Sequence, residues 1–205
     1  MDIRNKQQIV LASGNSGKIR EIQVILKNHT VIAQSQFDVP EAEETGSTFV
    51  ENAIIKARNA TEYCKMPTIA DDSGIVVDAL DGAPGVVSAR YAGVGASDLE
   101  NLEKLLDDLQ KVTDQQKTAR FICVMVFLQH ANDPFPLVAQ GVWEGHILSN
   151  PVGENGFGYD PVFFVPEQNC TSAQLSPDMK NNISHRGKAL QQLSALMENR
   201  FRVGS

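Results

Sequence analysis

Residues 121–128 read FICVMVFL, eight apolar side chains in succession between polar flanks. A run of this length and composition, rich in β-branched and aromatic residues, is a strand buried on both faces. Residues 137–148, LVAQGVWEGHIL, are expected to be its neighbour, with Gly141 and Gly145 marking bulges. Outward from this pair, residues 9–12 (IVLA) read as a short buried strand. They lead through a turn at 14–18 into Ile19, Ile22, Ile25 and Leu26 at helical spacing. Residues 31–33 form a second short strand, and the polar stretch 34–46, with Pro40, a loop. Thr48 and Glu51 make a capping box ahead of Phe49, Ala53, Ala57, Ala60 and Cys64, a helix that Met66-Pro67 ends. Residues 68–70 and 75–80 read as strand pieces on either side of Asp71-Asp72-Ser73-Gly74, taken as turn-like. Ser97 and Glu100 form a second capping box that opens a helix over 99–109. Residues 161–165 give another short strand. The last helix starts near Ser184 and turns Ala189, Leu190, Leu193, Leu196 and Met197 inward. Strands and helices alternate without a strict βαβ rhythm, so the expected fold class is α/β, a mixed β-sheet flanked by helices.

Composition narrows the function. Over 205 residues, 42% are hydrophobic and 21% charged, enough apolar material for a sizeable core and for a single domain spanning 1–205. Lys and Arg number 18 against 25 Asp and Glu, a net charge of −7. Such an acidic chain is a poor binder of nucleic-acid polymer, which wants a basic surface. No apolar stretch is long enough for a membrane span. The opening residues MDIRNKQQIVLAS lack the apolar core of a secretory signal, so a cytoplasmic setting is expected. Cys64, Cys123 and Cys170 lie far apart, with no metal-ligand spacing, and read as reduced, mostly buried thiols. Trp143, Phe163 and Phe164 are expected in the core, and His29, His130 and His146 have no clear partner in sequence.

Four sets of residues could carry chemistry. Ser13-Gly14-Asn15-Ser16-Gly17-Lys18 lies between a strand and a helix. Small residues there let backbone approach a ligand, a helix N-terminus favours an anion, and Lys18 adds positive charge. The segment fails the P-loop spacing, with Ala12 and Ile19 where Gly and Ser or Thr would stand. The carboxylate pairs Glu43-Glu44 and Asp71-Asp72 could share a cation, since Mg²⁺ takes one or two carboxylates plus phosphate oxygens. In Gly153-Glu154-Asn155-Gly156-Phe157-Gly158-Tyr159-Asp160-Pro161, glycines would let Phe157 stand clear for a base to stack. Tyr159 offers a hydroxyl there and Asp160 an acceptor. In Ser184-His185-Arg186-Gly187-Lys188, Ser184 is an N-cap, so His185 and Arg186 oppose a helix dipole that a bound anion would relieve.

Taken in order, SGNSGK, AEETG with STFVENA, IADDSG, GAPGVVSARYAG, GENGFGYDP and SHRG resemble the inosine triphosphate pyrophosphatase family, whose bacterial members are dITP/XTP pyrophosphatases. The likeness runs over residues 9–197. It implies an elongated mixed sheet in two lobes around a nucleotide cleft, usually in a homodimer. It implies Mg²⁺-dependent hydrolysis of ITP, dITP and XTP to monophosphate and pyrophosphate, which clears deaminated purines from the pool before polymerases use them. By position, residues Ser13, Gly14, Asn15, Ser16, Gly17 and Lys18 would hold the triphosphate, with Lys56 as a further phosphate contact. Asp72 would be general base and Mg²⁺ ligand, Glu43 a second ligand, and Ser73 a substrate contact. Phe157, Gly158, Tyr159, Asp160, Lys180, His185 and Arg186 would form the base and sugar pocket. Two other readings share these motifs: a pyrophosphatase for modified pyrimidine nucleotides, and a nucleotide-binding protein of the same fold without catalysis.

Overall fold

The computed structural model describes residues 8–26, 29–112 and 117–202, apart from the side chains of Ser16, Arg20, Val24, Ile25 and Arg202. The opening MDIRNK and the Ile25 side chain, both read above, lie outside the described residues. Among the described residues the strands β1 (Gln8–Ala12), β2 (Thr30–Ala33), β3 (Thr68–Val77), β4 (Thr118–Leu128), β5 (Leu137–Ile147), β6 (Phe163–Val165) and β7 (Cys170–Thr171) make one sheet. Its order is β2-β1-β3-β4-β5-β6-β7. It is mixed: β1 runs parallel to β2 and β3, while β6 is antiparallel to β5 and β7. The helices are α1 (Ser16–Ile25), α2 (Phe49–Cys64), α3 (Asp98–Gln110), α4 (Pro177–Ile183) and α5 (His185–Arg202). None of them is long and apolar enough to cross a membrane.

Compactness divides the chain into two units. The first comprises Met1–Asp72, Val124–Gln140 and Arg186–Ser205, the second Ser73–Cys123 and Gly141–His185. Ile9, Val10, Leu11, Ala53, Ala57, Phe127 and Leu190 are buried in the first unit. In the second, Ile75, Leu105, Phe121, Trp143, Phe163 and Val165 belong to one apolar cluster. Both capping boxes form as read, at Thr48 with Glu51 and at Ser97 with Glu100. All three cysteines are free, Cys123 buried and the others half-buried.

Four local readings change or sharpen. The segment 71–74 is no turn: β3 runs unbroken through it, with Asp71 and Asp72 buried in the strand, and residues 78–80 leave the sheet as a short 3₁₀ turn. Buried carboxylates are tolerated in a strand only where cations meet them, and such cations arrive from distant helices. Gly145 serves a close approach, because a Cβ there would lie 2.5 Å from the Phe164 carbonyl oxygen. Residues 161–162 stay outside β6, which begins at Phe163. Finally, α4 precedes the last helix, capped by Ser176 with Pro177 in its first turn, a start signal present in the sequence but passed over.

Candidate functional site

In the first unit β1 delivers the chain to Ser13, and α1 begins at Ser16. Asn15 is the N-cap: its Oδ1 accepts from the Gly17 amide at 2.9 Å and the Lys18 amide at 3.1 Å. Ser13 Oγ accepts from the Asn15 amide at 3.2 Å. Gly14 is exposed, and a Cβ built on it would meet nothing within 4 Å. This is a helix N-terminus with open space before it, suited to an anion. The Ser16 side chain lies outside the described residues.

Lys18 and Lys56 divide the two aspartates of β3 between them, since successive strand residues point to opposite faces. Lys18 Nζ lies 2.9 Å from Asp71 Oδ2. Arg186, at the start of α5, approaches the same oxygen at 3.7 Å and also pairs with Glu21 of α1. Burial alone would push the Asp71 carboxyl up, but Lys18, Arg186 and Lys56 outweigh it and hold the group well below the usual carboxylate range. Lys56, on α2, places Nζ 3.1 Å from Asp72 Oδ1 and 2.9 Å from Glu44 Oε1. For Lys56, burial works against the charge, and Asp71, Asp72 and Glu44 more than restore it, so its pKa is raised. Asp72 goes the other way. Burial raises its pKa, Lys56 and Lys18 only partly offset that, and Glu44 adds to the rise. The second oxygen of Asp72, Oδ2, is buried with no hydrogen-bond partner among the described residues.

The carboxylate that shares Lys56 with Asp72 is Glu44, the neighbour of Glu43. Glu43 is exposed, and its carbonyl oxygen accepts from the Thr45 amide at 3.0 Å. Among the described residues no three His, Cys, Asp or Glu side chains gather as a ready-made metal cage. What they offer instead is two carboxylates sharing one ammonium, with one buried carboxylate oxygen unmet. A divalent cation completed by phosphate oxygens fits that donor set. Ser73 follows Asp72 in β3, half-buried, as the first residue of the second unit.

In the second unit the loop 153–160 is fixed by its own aspartate. Asp160 accepts from the Phe157 amide at 2.8 Å, Ser172 Oγ at 2.7 Å and Lys180 Nζ at 2.6 Å. Gly156 has φ +81°, and a Cβ there would fall 2.0 Å from Asp160 Oδ2, so only glycine fits. The Gly158 amide donates to Asp98 Oδ2 at 2.8 Å. Tyr159 is buried, its hydroxyl donating to the Ser88 carbonyl oxygen at 2.8 Å. The Tyr159 hydroxyl and the Asp160 carboxylate thus hold the loop, and neither stands open as the sequence suggested. Phe157 remains half-buried, with Lys180 Nζ 4.9 Å from its ring centroid. His185 stacks on Phe121 with centroids 4.8 Å apart and planes 12° from parallel. Sequence reasoning missed Glu21 and Asp98 and named Glu44 only as one of a pair; each reaches its partner across many residues.

A sequence model of the Ham1 family matches residues 9–196. A Vibrio cholerae protein named dITP/XTP pyrophosphatase is 59% identical over 194 residues, covering 94% of this chain and 97% of its own length. Among solved structures, a HAM1 protein from Coxiella burnetii superposes with a TM-score of 0.88 at 51% identity, covering 94% of this chain and 99% of that one. The Staphylococcus aureus Ham1 protein gives a TM-score of 0.84 at 46% identity, covering 95% of this chain and 100% of the other.

Proposed function

Because the chain belongs to the Ham1 family, we propose that it hydrolyses the non-standard purine triphosphates ITP, dITP and XTP to monophosphate and pyrophosphate. The names of its relatives supply the substrate class. The arrangement around Asp72 carries the reaction: a buried carboxylate of raised pKa, one oxygen on Lys56 and the other unmet.

In this reading the triphosphate is taken by the first unit. The open backbone at Ser13, Gly14, Asn15, Ser16 and Gly17 receives phosphate oxygens, and Lys18 and Lys56 balance their charge. Lys18 turns from Asp71 toward the ligand, and Arg186 keeps Asp71 paired meanwhile. Asp72 orients a water toward the α-phosphorus and takes its proton, a role that its raised pKa favours. Asp72 and Glu44 would hold Mg²⁺, which when bound supplies charge neutralisation to the phosphate oxygens and the leaving pyrophosphate. Positioning and electrostatics then account for most of the catalysis, as is general for phosphoryl chemistry.

The second unit reads the base. Phe157 provides the stacking face, held rigid by Gly158, Tyr159 and Asp160. Lys180 and His185 supply donors for the 6-oxo group of hypoxanthine or xanthine. Adenine presents an amino donor at that position, so each unmet polar group costs about 1–3 kcal/mol. Ser73 contacts substrate beside Asp72. A homodimer in the cytoplasm is the setting that the family resemblance supports.

The test is a substrate panel at fixed Mg²⁺ with detection of pyrophosphate, run on the wild type and Asp72→Asn. ITP and XTP should give monophosphate and pyrophosphate, with ATP much slower and the variant inactive. Release of orthophosphate from the γ position would overturn the reading.

A further inference from the structure

Asn52, on the second turn of α2, has no part in the chemistry above, yet it is wholly buried. Its Nδ2 has no hydrogen-bond partner among the described residues. A buried donor left unmet is costly, so the other end of the side chain must matter. That end, Oδ1, accepts from the Gly46 amide at 2.8 Å. The next two loop amides, of Ser47 and Thr48, both donate to Glu51 Oε2 at 2.9 Å. Three successive loop amides therefore end on two neighbouring side chains of α2. Just upstream, the Thr45 amide returns to the Glu43 carbonyl oxygen at 3.0 Å, which folds residues 43–45 into a tight turn with Glu44 at its centre. Glu44 then meets Lys56, which lies one helical turn beyond Asn52 on the same face of α2. The loop sits so close that a Cβ on Gly46 would fall 2.6 Å from Glu51 Cβ and 2.7 Å from Asn52 Oδ1.

We propose that Asn52 is a positioning residue for the metal and phosphate site: it pins the 43–46 turn to α2 so that Glu44, and not Glu43, faces Lys56 and Asp72. The inference rests on the pyrophosphatase reading for the purpose of Glu44, and on geometry alone for the pinning. Asn52→Leu keeps the shape and removes the acceptor. Gly46→Ala pushes the same turn off the helix by a different route. In metal-free protein, amide hydrogen exchange over residues 44–48 is expected to speed up by about tenfold or more in both variants. Asn52→Asp, which keeps an acceptor for Gly46, should restore protection.

Mn²⁺ binding in the presence of a non-hydrolysable ITP analogue, read from the resonance signal of free Mn²⁺, should weaken by about tenfold in Asn52→Leu. That is the usual size of losing a partner behind a metal ligand. In a Glu44→Gln background, Asn52→Leu should weaken Mn²⁺ no further, because the residue it serves is already disabled. A role confined to stability would give equal losses in both backgrounds. Unchanged exchange at 44–48 in Asn52→Leu and Gly46→Ala, or Mn²⁺ losses that simply add, would overturn the proposal. The exchange measurement needs no nucleotide, so failure of the substrate panel and failure of the pinning are read separately.

Discussion

In the first unit, Lys18, Lys56 and Arg186 interlock with Glu21, Glu44, Asp71 and Asp72, so the site is a lattice of opposite charges. In the second, the ion pair of Lys180 with Asp160 anchors a loop whose other bonds run through backbone amides and uncharged side chains such as Tyr159, Asn155 and Ser172. On the proposed reading, the difference follows from what each unit has to recognise. A triphosphate brings several charges at once, and ion pairs can change partners when it arrives. A purine base brings only a flat ring and a pattern of donors and acceptors, which discriminates only against groups already held in place. Exchangeable charge and fixed geometry are therefore kept in separate parts of the chain.

Four substitutions probe that contrast. The largest effect on turnover belongs to the first unit: Asp72→Asn should lower kcat by about 10³-fold, as removal of a general base does, while calorimetry still detects nucleotide binding. An equal fall in kcat from any change in the 153–160 loop would erase the contrast. Next comes Asp71→Asn, which leaves Lys18 and Arg186 facing a neutral group and should cost about 3 kcal/mol in denaturant unfolding at neutral pH. The sign with pH is fixed. Asp71 is held below its ordinary 3.8, so its contribution is present above that value and lost as pH falls through the folded pKa. The gap between wild type and variant should therefore close in acid.

In the second unit, Phe157→Ala should raise KM for ITP about tenfold with kcat little changed, within the 1–3 kcal/mol of base stacking. A fall in kcat without a change in KM would assign Phe157 to the chemistry. The smallest effect is one of pH. As the proposed general base Asp72 must be ionised, and burial raises its pKa against the restraint of Lys56. Lys56→Gln removes that restraint, so the acidic limb of kcat/KM should move to higher pH in a rate–pH profile. Since Lys56 itself is held above its usual range, it should contribute no basic limb near neutrality.

The sequence made the framework legible wherever a signal was local. FICVMVFL lies within β4, and both capping boxes start their helices at the residues that were read. Failures came where a distant side chain decides the outcome. IADDSG has the look of a turn because two adjacent carboxylates belong on a wet surface. It is a buried strand because Lys18, Lys56 and Arg186 come to it from α1, α2 and α5, and no local window contains them. Glu43 and Glu44 are indistinguishable as letters, and only the folded chain shows that the ion pair with Lys56 falls to Glu44. In the GENGFGYDP loop, composition marked an unusual backbone, but not that Tyr159 and Asp160 would turn inward to hold it.

Gly14 carries a consequence of a different kind. Among the described residues nothing comes within 4 Å of the place where its side chain would be, and its φ is not among the positive values found at seven other glycines there. Folding makes no steric demand for glycine there, so any demand comes from what the open helix end must admit. A survey that scores variants by yield or melting temperature would pass Gly14→Ala as harmless, and only an assay that counts turnovers would detect it. For reading natural variants of this chain, silence in a stability screen at position 14 carries no reassurance.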